Sequence, residues 1–168
     1  LRGEAWRYKD TIPCLYLRGL TPKASTHRNV GALEAVTSLP REVDDHHPSQ
    51  AIFLDGSGGA LSRDPRLRRC GWAWVQCEEN PTTYPIWFTG GEYGTLPGKQ
   101  TVPRAEMRAV YRALLFLASQ VRNEEEPFDT AIWTDSAVVM KAFAKGPNTR
   151  HGPNGEIWDM IWENFSIL

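Results

Sequence analysis

Apolar side chains in the last two thirds of this chain recur at two spacings, and the switch between them lays out an order of strands and helices. Short apolar runs bounded by polar or turn-forming residues predict strands at 51–54, 71–76 and 130–134, with a further strand over residues 84–92. Between the last two, Val110, Ala113, Leu114 and Leu117 recur at helical spacing, and Pro103 is a favoured helix opener, so residues 105–119 read as one amphipathic helix. Two more helices follow the strand at 130–134, the later one starting at Asn154-Gly155-Glu156-Ile157-Trp158. The first three strands succeed one another closely and should pair antiparallel. The fourth comes after a helical crossover and should run parallel to the first. The expected fold class is therefore α/β, a mixed sheet with helices packed on it.

Residues 1–49 show no such order. They contain one apolar stretch, Cys14-Leu15-Tyr16-Leu17, and then drift into Pro40-Arg41-Glu42-Val43-Asp44-Asp45-His46-His47-Pro48, which reads as an N-terminal extension and linker ahead of a domain at 50–168. A chain of 168 residues with 41% hydrophobic content can bury one core. The spacing of Trp72 with Trp74, and of Trp158 with Trp162, places each pair on one face of its element, as core residues are placed.

Charge and cysteine content narrow the classes. A formal net charge of -1 gives no global attraction to nucleic acid, so any such binding must be local, through groups such as Arg63, Arg66, Arg68 and Arg69. Cys14, Cys70 and Cys77 form neither an even disulfide set nor a Cys-x-x-Cys pair, which points to a reducing, intracellular setting and no zinc. No apolar run is long enough to cross a bilayer.

Candidate chemistry lies at the strand ends. The runs Ala51-Ile52-Phe53-Leu54-Asp55 and Thr130-Ala131-Ile132-Trp133-Thr134-Asp135 are expected to be buried, and each ends on an aspartate at the rim of the core. Glu106 shares the apolar stripe of the helix between them. Three carboxylates gathered there would repel one another unless a cation relieved them, and hard oxygen ligands suit Mg²⁺ or Mn²⁺. Other readings fail on spacing. An aspartate-nucleophile phosphatase loop needs a second aspartate where Phe53 stands, and Gly94-Thr95-Leu96-Pro97-Gly98-Lys99-Gln100 lacks the first glycine and the terminal Ser or Thr of a P-loop. His46 and His47 are adjacent, so their side chains diverge.

In order along the chain, Asp55-Gly56-Ser57, Arg104-Ala105-Glu106 and Trp133-Thr134-Asp135-Ser136 resemble the three leading motifs of the type 1 ribonuclease H family. The resemblance covers roughly residues 50–168. It implies hydrolysis of the RNA strand of an RNA–DNA hybrid, with Asp55, Glu106 and Asp135 as catalytic metal ligands and Asp55 bridging two Mg²⁺ ions. It also implies nucleic-acid contacts from Gly56, Ser57, Gly58, Gln100, Arg104 and Ser136. Ser57 and backbone amides near Gly56 would meet 2′-hydroxyls, and Gln100 would offer an amide side chain to the minor groove. Gly58 and Gly59 suit either close approach of a nucleic-acid backbone or an ordinary tight turn.

The family continues with another strand, a histidine-bearing loop and a final helix carrying a fourth metal-binding aspartate, whereas this sequence ends before them. Asp159, Glu163 and His151 do not occupy those places. The resemblance thus implies a domain missing its C-terminal strand and helix, weak binding of one of the two ions, and a context beside a reverse transcriptase in a retroelement polypeptide.

Overall fold

In a computed structural model the protein is described over residues 34–39, 49–60, 62–63, 68–78, 88–122, 129–152 and 154–168. Five strands form one sheet: β1 (Val36–Leu39), β2 (Ser49–Ser57), β3 (Gly71–Glu78), β4 (Phe88–Thr95) and β5 (Asp129–Thr134). Their order is β1-β4-β3-β2-β5. β2, β3 and β4 pair antiparallel, and β5 runs parallel to β2, as the connection lengths require. The crossover is α1 (Val102–Arg122); α2 (Ala137–Lys145), a 3₁₀ turn (Gly146–His151) and α3 (Gly155–Phe165) complete the fold.

The core lies between one face of the sheet and the helices. Alternation puts Ile52 and Leu54 of β2 and Trp72 and Trp74 of β3 on that face, where they meet Met107, Val110, Ala113, Leu114 and Leu117 of α1 and Ile157, Trp158, Ile161 and Trp162 of α3. Both expected tryptophan pairs are buried. A polar knot fixes α1 across the sheet. Glu92 Oε2 accepts from Trp74 Nε1 at 3.2 Å and from Arg112 Nε and Nη2 at 3.0 and 2.8 Å, so one carboxylate oxygen collects three hydrogen bonds.

Three expectations change. The stretch before residue 50 is not all linker: Val36–Leu39 extends the sheet beside β4, and Glu34 pairs with Arg108 of α1, its Oε1 accepting from Nε at 2.8 Å. β1 is short and mostly exposed, so it carries no alternation to read. α1 is longer at both ends than the apolar stripe, because its first turn needs only a partner such as the Thr101 carbonyl, which accepts from Ala105 N at 3.1 Å. The strand expected at 84–92 is seen from Phe88 and runs on to Thr95. Residues 84–87, Cys14, the stretch 14–17, His46 and His47 with their neighbours, and Arg66 lie outside the described residues.

Both runs ending on aspartate were expected to be buried, but only that of β2 is: Ile52 and Leu54 are buried, whereas no residue from Thr130 to Thr134 of the edge strand β5 is. On the sheet face away from α1, Phe53 is 45% exposed and Trp133 57% exposed. On the helix side, Ile132 is 39% exposed and lines an apolar groove of about 460 Å³ with Leu54, Val139, Met140, Phe143 and Phe165. Among the described residues β5 has no strand on its outer side. No described helix is long and apolar enough to cross a membrane. An apolar strand edge left uncovered is a template for pairing with another chain. Light scattering of the purified chain should therefore show association that rises with concentration. Ile132→Lys should suppress it at a stability cost within about 1 kcal/mol, since the side chain is already partly solvated; undiminished scattering would clear this edge of responsibility.

Candidate metal centre

Parallel pairing of β2 with β5 in the register Leu54↔Thr134 brings the next residue of each strand, Asp55 and Asp135, side by side at one end of the sheet. Glu106 reaches them from the first turns of α1. Its approach depends on Gly56: a methyl on that α-carbon would lie 2.4 Å from the backbone nitrogen of Glu106 and 2.9 Å from the carbonyl carbon of Ala105. Both atoms belong to the backbone and cannot swing aside, so any side chain here would push α1 off the strand.

The result is a group in which Asp55, Glu106 and Asp135 each offer a carboxylate oxygen within 4.8 Å of the others. The two aspartates are exposed, whereas Glu106 is only 8% exposed. Burial first, and then the negative charges of Asp55 and Asp135, push the Glu106 carboxyl up from its ordinary 4.5 to about 7; the Gly56 backbone N–H, which donates to it, opposes this. Glu106 Oε2 is buried with no hydrogen-bond partner. An orphaned buried acceptor beside two more carboxylates, with no thiolate or imidazole in the group, is a donor set fitted to a hard divalent cation such as Mg²⁺ or Mn²⁺.

The neighbouring motif residues divide into two kinds. Ser57 is exposed next to Asp55, its Oγ accepting from Gly59 N at 3.1 Å. Ser136 caps α2, its Oγ accepting from Val139 N at 3.4 Å, while its own N–H donates to Thr134 Oγ1 at 3.1 Å. The two glycines that follow serve the turn itself. Gly58 is buried, and a methyl there would sit 2.6 Å from Ser62 Cβ, so its missing side chain serves packing of the turn. Gly59 adopts φ +72° and closes that turn.

Gln100 and Arg104, expected as nucleic-acid contacts, both make hydrogen bonds within the protein. Gln100 spends its side-chain amide within the protein: Nε2 donates to Leu96 O at 2.7 Å and Gly98 O at 2.9 Å, and Oε1 accepts from Cys70 N at 2.8 Å. Arg104 ties the start of α1 to the start of α3, pairing with Glu156 and donating to Asn154 Oδ1 at 3.1 Å. The hydrogen bond that Arg104 donates to Glu156 holds the Glu156 carboxyl below its usual range. Asp159 pairs with Arg150 at 3.5 Å, and it, Glu163 and His151 are exposed and outside the carboxylate group. In the loop after Gly59, Arg63 and Arg69 are exposed, while Arg68 Nε donates to Ser62 O at 2.8 Å. Cys70 and Cys77 are buried free thiols, raised chiefly by burial.

Sequence reasoning missed one neighbour of the site. Phe53 and Trp133 share with Asp55 and Asp135 an open cleft of about 330 Å³. The signal was present in the repeated spacing, an aromatic residue two places before each aspartate.

No protein-family model and no curated protein matches the chain. Among solved structures it is similar to LC9-RNase H1, described as a type 1 RNase H with the type 2 active-site motif, at 17% identity and a TM-score of 0.47 over 73% of this chain. The chain spans 58% of that structure. It is also similar to the PFV RNase H domain at 19% identity and TM-score 0.44, covering 71% of this chain and 73% of that one. A third likeness is to the Prototype Foamy Virus protease-reverse transcriptase, at 20% identity and TM-score 0.43 over 76% of this chain and 17% of that one.

The raised Glu106 carboxyl gives a stability signature for the metal-free protein. The unfolded chain releases this proton near 4.5 and the folded chain near 7, so the folded state holds more protons between those values and stability falls as pH rises through that window. Above pH 7 the whole penalty applies. Urea unfolding in chelator should find Glu106→Gln more stable than the parent by on the order of 2 kcal/mol at pH 8, the gap closing toward pH 4.5. Equal stability at both pH values would refute the strained carboxylate.

Proposed function

We propose that this chain is a metal-dependent nuclease domain of ribonuclease H type, which hydrolyses the RNA strand of RNA–DNA hybrids. The observation that carries the reading is the convergence of Asp55, Glu106 and Asp135, drawn from two strands and a helix, with an unpartnered buried oxygen among them. Bound Mg²⁺ or Mn²⁺ would supply positive charge at the scissile phosphate and a more acidic water, as a pair of ions does in in-line phosphodiester displacement.

The chain's own residues prepare the rest. Glu106 would hold a cation from the protein side once its carboxyl, raised to about 7, has given up its proton. Asp55 and Asp135 face the solvent, the side from which a substrate arrives. Gly56 keeps α1, and with it Glu106, against the strand. With no global positive charge to draw a polyanion in, grip must come from local groups; Ser57, two residues beyond Asp55, and Arg63 and Arg69, in the loop after Gly59, are exposed. In this reading the domain belongs beside a reverse transcriptase in a longer polypeptide.

A second reading, a domain that binds nucleic acid or a protein partner without cutting, is favoured by the number of ligands: among the described residues the group holds three carboxylates and no fourth. Cleavage decides between the two. With a labelled RNA–DNA hybrid in Mg²⁺, Asp55→Asn, Glu106→Gln and Asp135→Asn should each reduce cleavage by on the order of a thousandfold, the rate equivalent of several kcal/mol, with folding intact by circular dichroism. Cleavage by Asp55→Asn that persists and still needs Mg²⁺ would sink the metal assignment, and a parent chain that binds the hybrid without cutting it would establish the second reading.

A further inference from the structure

Arg104 stands two residues before Glu106 on α1, and because each helical residue turns by about 100° the two side chains leave the helix on opposite sides. Glu106 goes to the strand ends and Arg104 to the start of α3. There Arg104 Nη1 donates to Asn154 Oδ1 at 3.1 Å and pairs with Glu156. The receiving end is itself held. Asn154 is the one non-glycine residue in the left-handed region among the described residues, at φ 64°. Gly155 beside it lies so close to the 3₁₀ turn that a methyl on its α-carbon would be 2.2 Å from the Arg150 carbonyl oxygen. The start of α3 therefore has little room to drift.

Stability alone does not account for this arrangement. The Arg104 side chain is largely buried, and its Nε has no hydrogen-bond partner. An aliphatic side chain could fill the same place without an unmet donor, and the left-handed backbone at Asn154 adds a further cost. A planar guanidinium held at two acceptors fixes position as well as contact. Position matters here because Glu106 is the fifth residue of α1, in the end of a helix where backbone N–H groups lack intrahelical partners and fraying begins. Gly56 lets this segment lie on β2 from one side. Arg104 ties it from the other.

We infer that Arg104, through Asn154 and Glu156, is a positioning residue for the metal centre: it holds the first turns of α1 so that the Glu106 carboxylate stays beside Asp55 and Asp135. The inference rests on the metal-dependent reading of that centre and adds to it a control point on α3, outside the carboxylate group. Electrostatics and positioning predict opposite signs for one substitution. Arg104→Met removes a positive charge from the neighbourhood of a cation site, which by Coulomb attraction alone tightens cation binding, whereas loss of position weakens it.

The test is the affinity of the whole, metal-free chain for Mn²⁺, read from the electron paramagnetic resonance signal of the free ion, with thermal unfolding run on every variant. Arg104→Met should weaken binding by about tenfold, the low end of what residues that orient metal ligands contribute. Arg104→Lys keeps the charge without the planar fork and should recover part of the loss. Asn154→Gly suits the left-handed backbone, removes only the acceptor, and should weaken binding by about threefold; it carries the test if Arg104→Met does not fold. Arg112→Met breaks the tie from α1 to Glu92, about two turns further along the helix, and should lower the unfolding temperature while leaving Mn²⁺ affinity within about twofold. Unchanged or tighter binding by folded Arg104→Met, or an equal loss in Arg112→Met, would overturn the inference while the metal reading stands. A parent chain that binds no Mn²⁺ would instead overturn the metal reading, and the inference with it.

Discussion

The close contact between Gly56 of β2 and the backbone at Glu106 of α1 is the constraint on which the rest of the site depends. Without a Cβ at residue 56 the helix can lie directly on the strand, and its third carboxylate is carried to the rim where Asp55 and Asp135 already stand. The arrangement opposes its own electrostatics. Burial and two neighbouring charges push the Glu106 carboxyl up to about 7, and one of its oxygens finds no donor. Folding energy from the packed face of the sheet, where Trp72, Trp74 and α3 meet α1, maintains this local strain. A cation would relieve it.

The sheet is asymmetric about that centre. One face is closed by α1 and α3 and braced by Glu92 with Arg112 and Trp74. The other leaves Phe53 and Trp133 open to solvent, and the outer side of β5 is unpaired among the described residues. The carboxylate centre thus sits where a rigid half meets an open half. Packing on the closed side fixes where the three carboxylates stand, and on the open side Asp55 and Asp135 meet solvent.

Much of this was legible in the sequence, for physical reasons that differ by residue. Asp55 and Asp135 could be read because an apolar run ending on an acid places that acid at the rim of a core. Glu106 could be read because it falls on the same helical stripe as Val110, Leu114 and Leu117, all buried. The hydrogen bonds that Gln100 and Arg104 make across the fold could not. Their partners, Cys70 in one case and Asn154 with Glu156 in the other, lie 30 to 52 residues away, and no local pattern reports such pairings. β1 was hidden by its brevity and exposure. The half-exposed state of Phe53 and Trp133 was hidden because an apolar run looks the same whether one face of its strand is covered or two.

The central claim is that a divalent cation replaces a proton among three carboxylates held together by the fold. Calorimetric titration of the metal-free chain with Mn²⁺, repeated in buffers of different ionisation enthalpy, measures that exchange directly. Near pH 7 binding should release about half a proton, rising toward one as the pH is lowered by a unit, and the release should vanish in Glu106→Gln. Binding without proton release, or the same release after that substitution, would contradict the account.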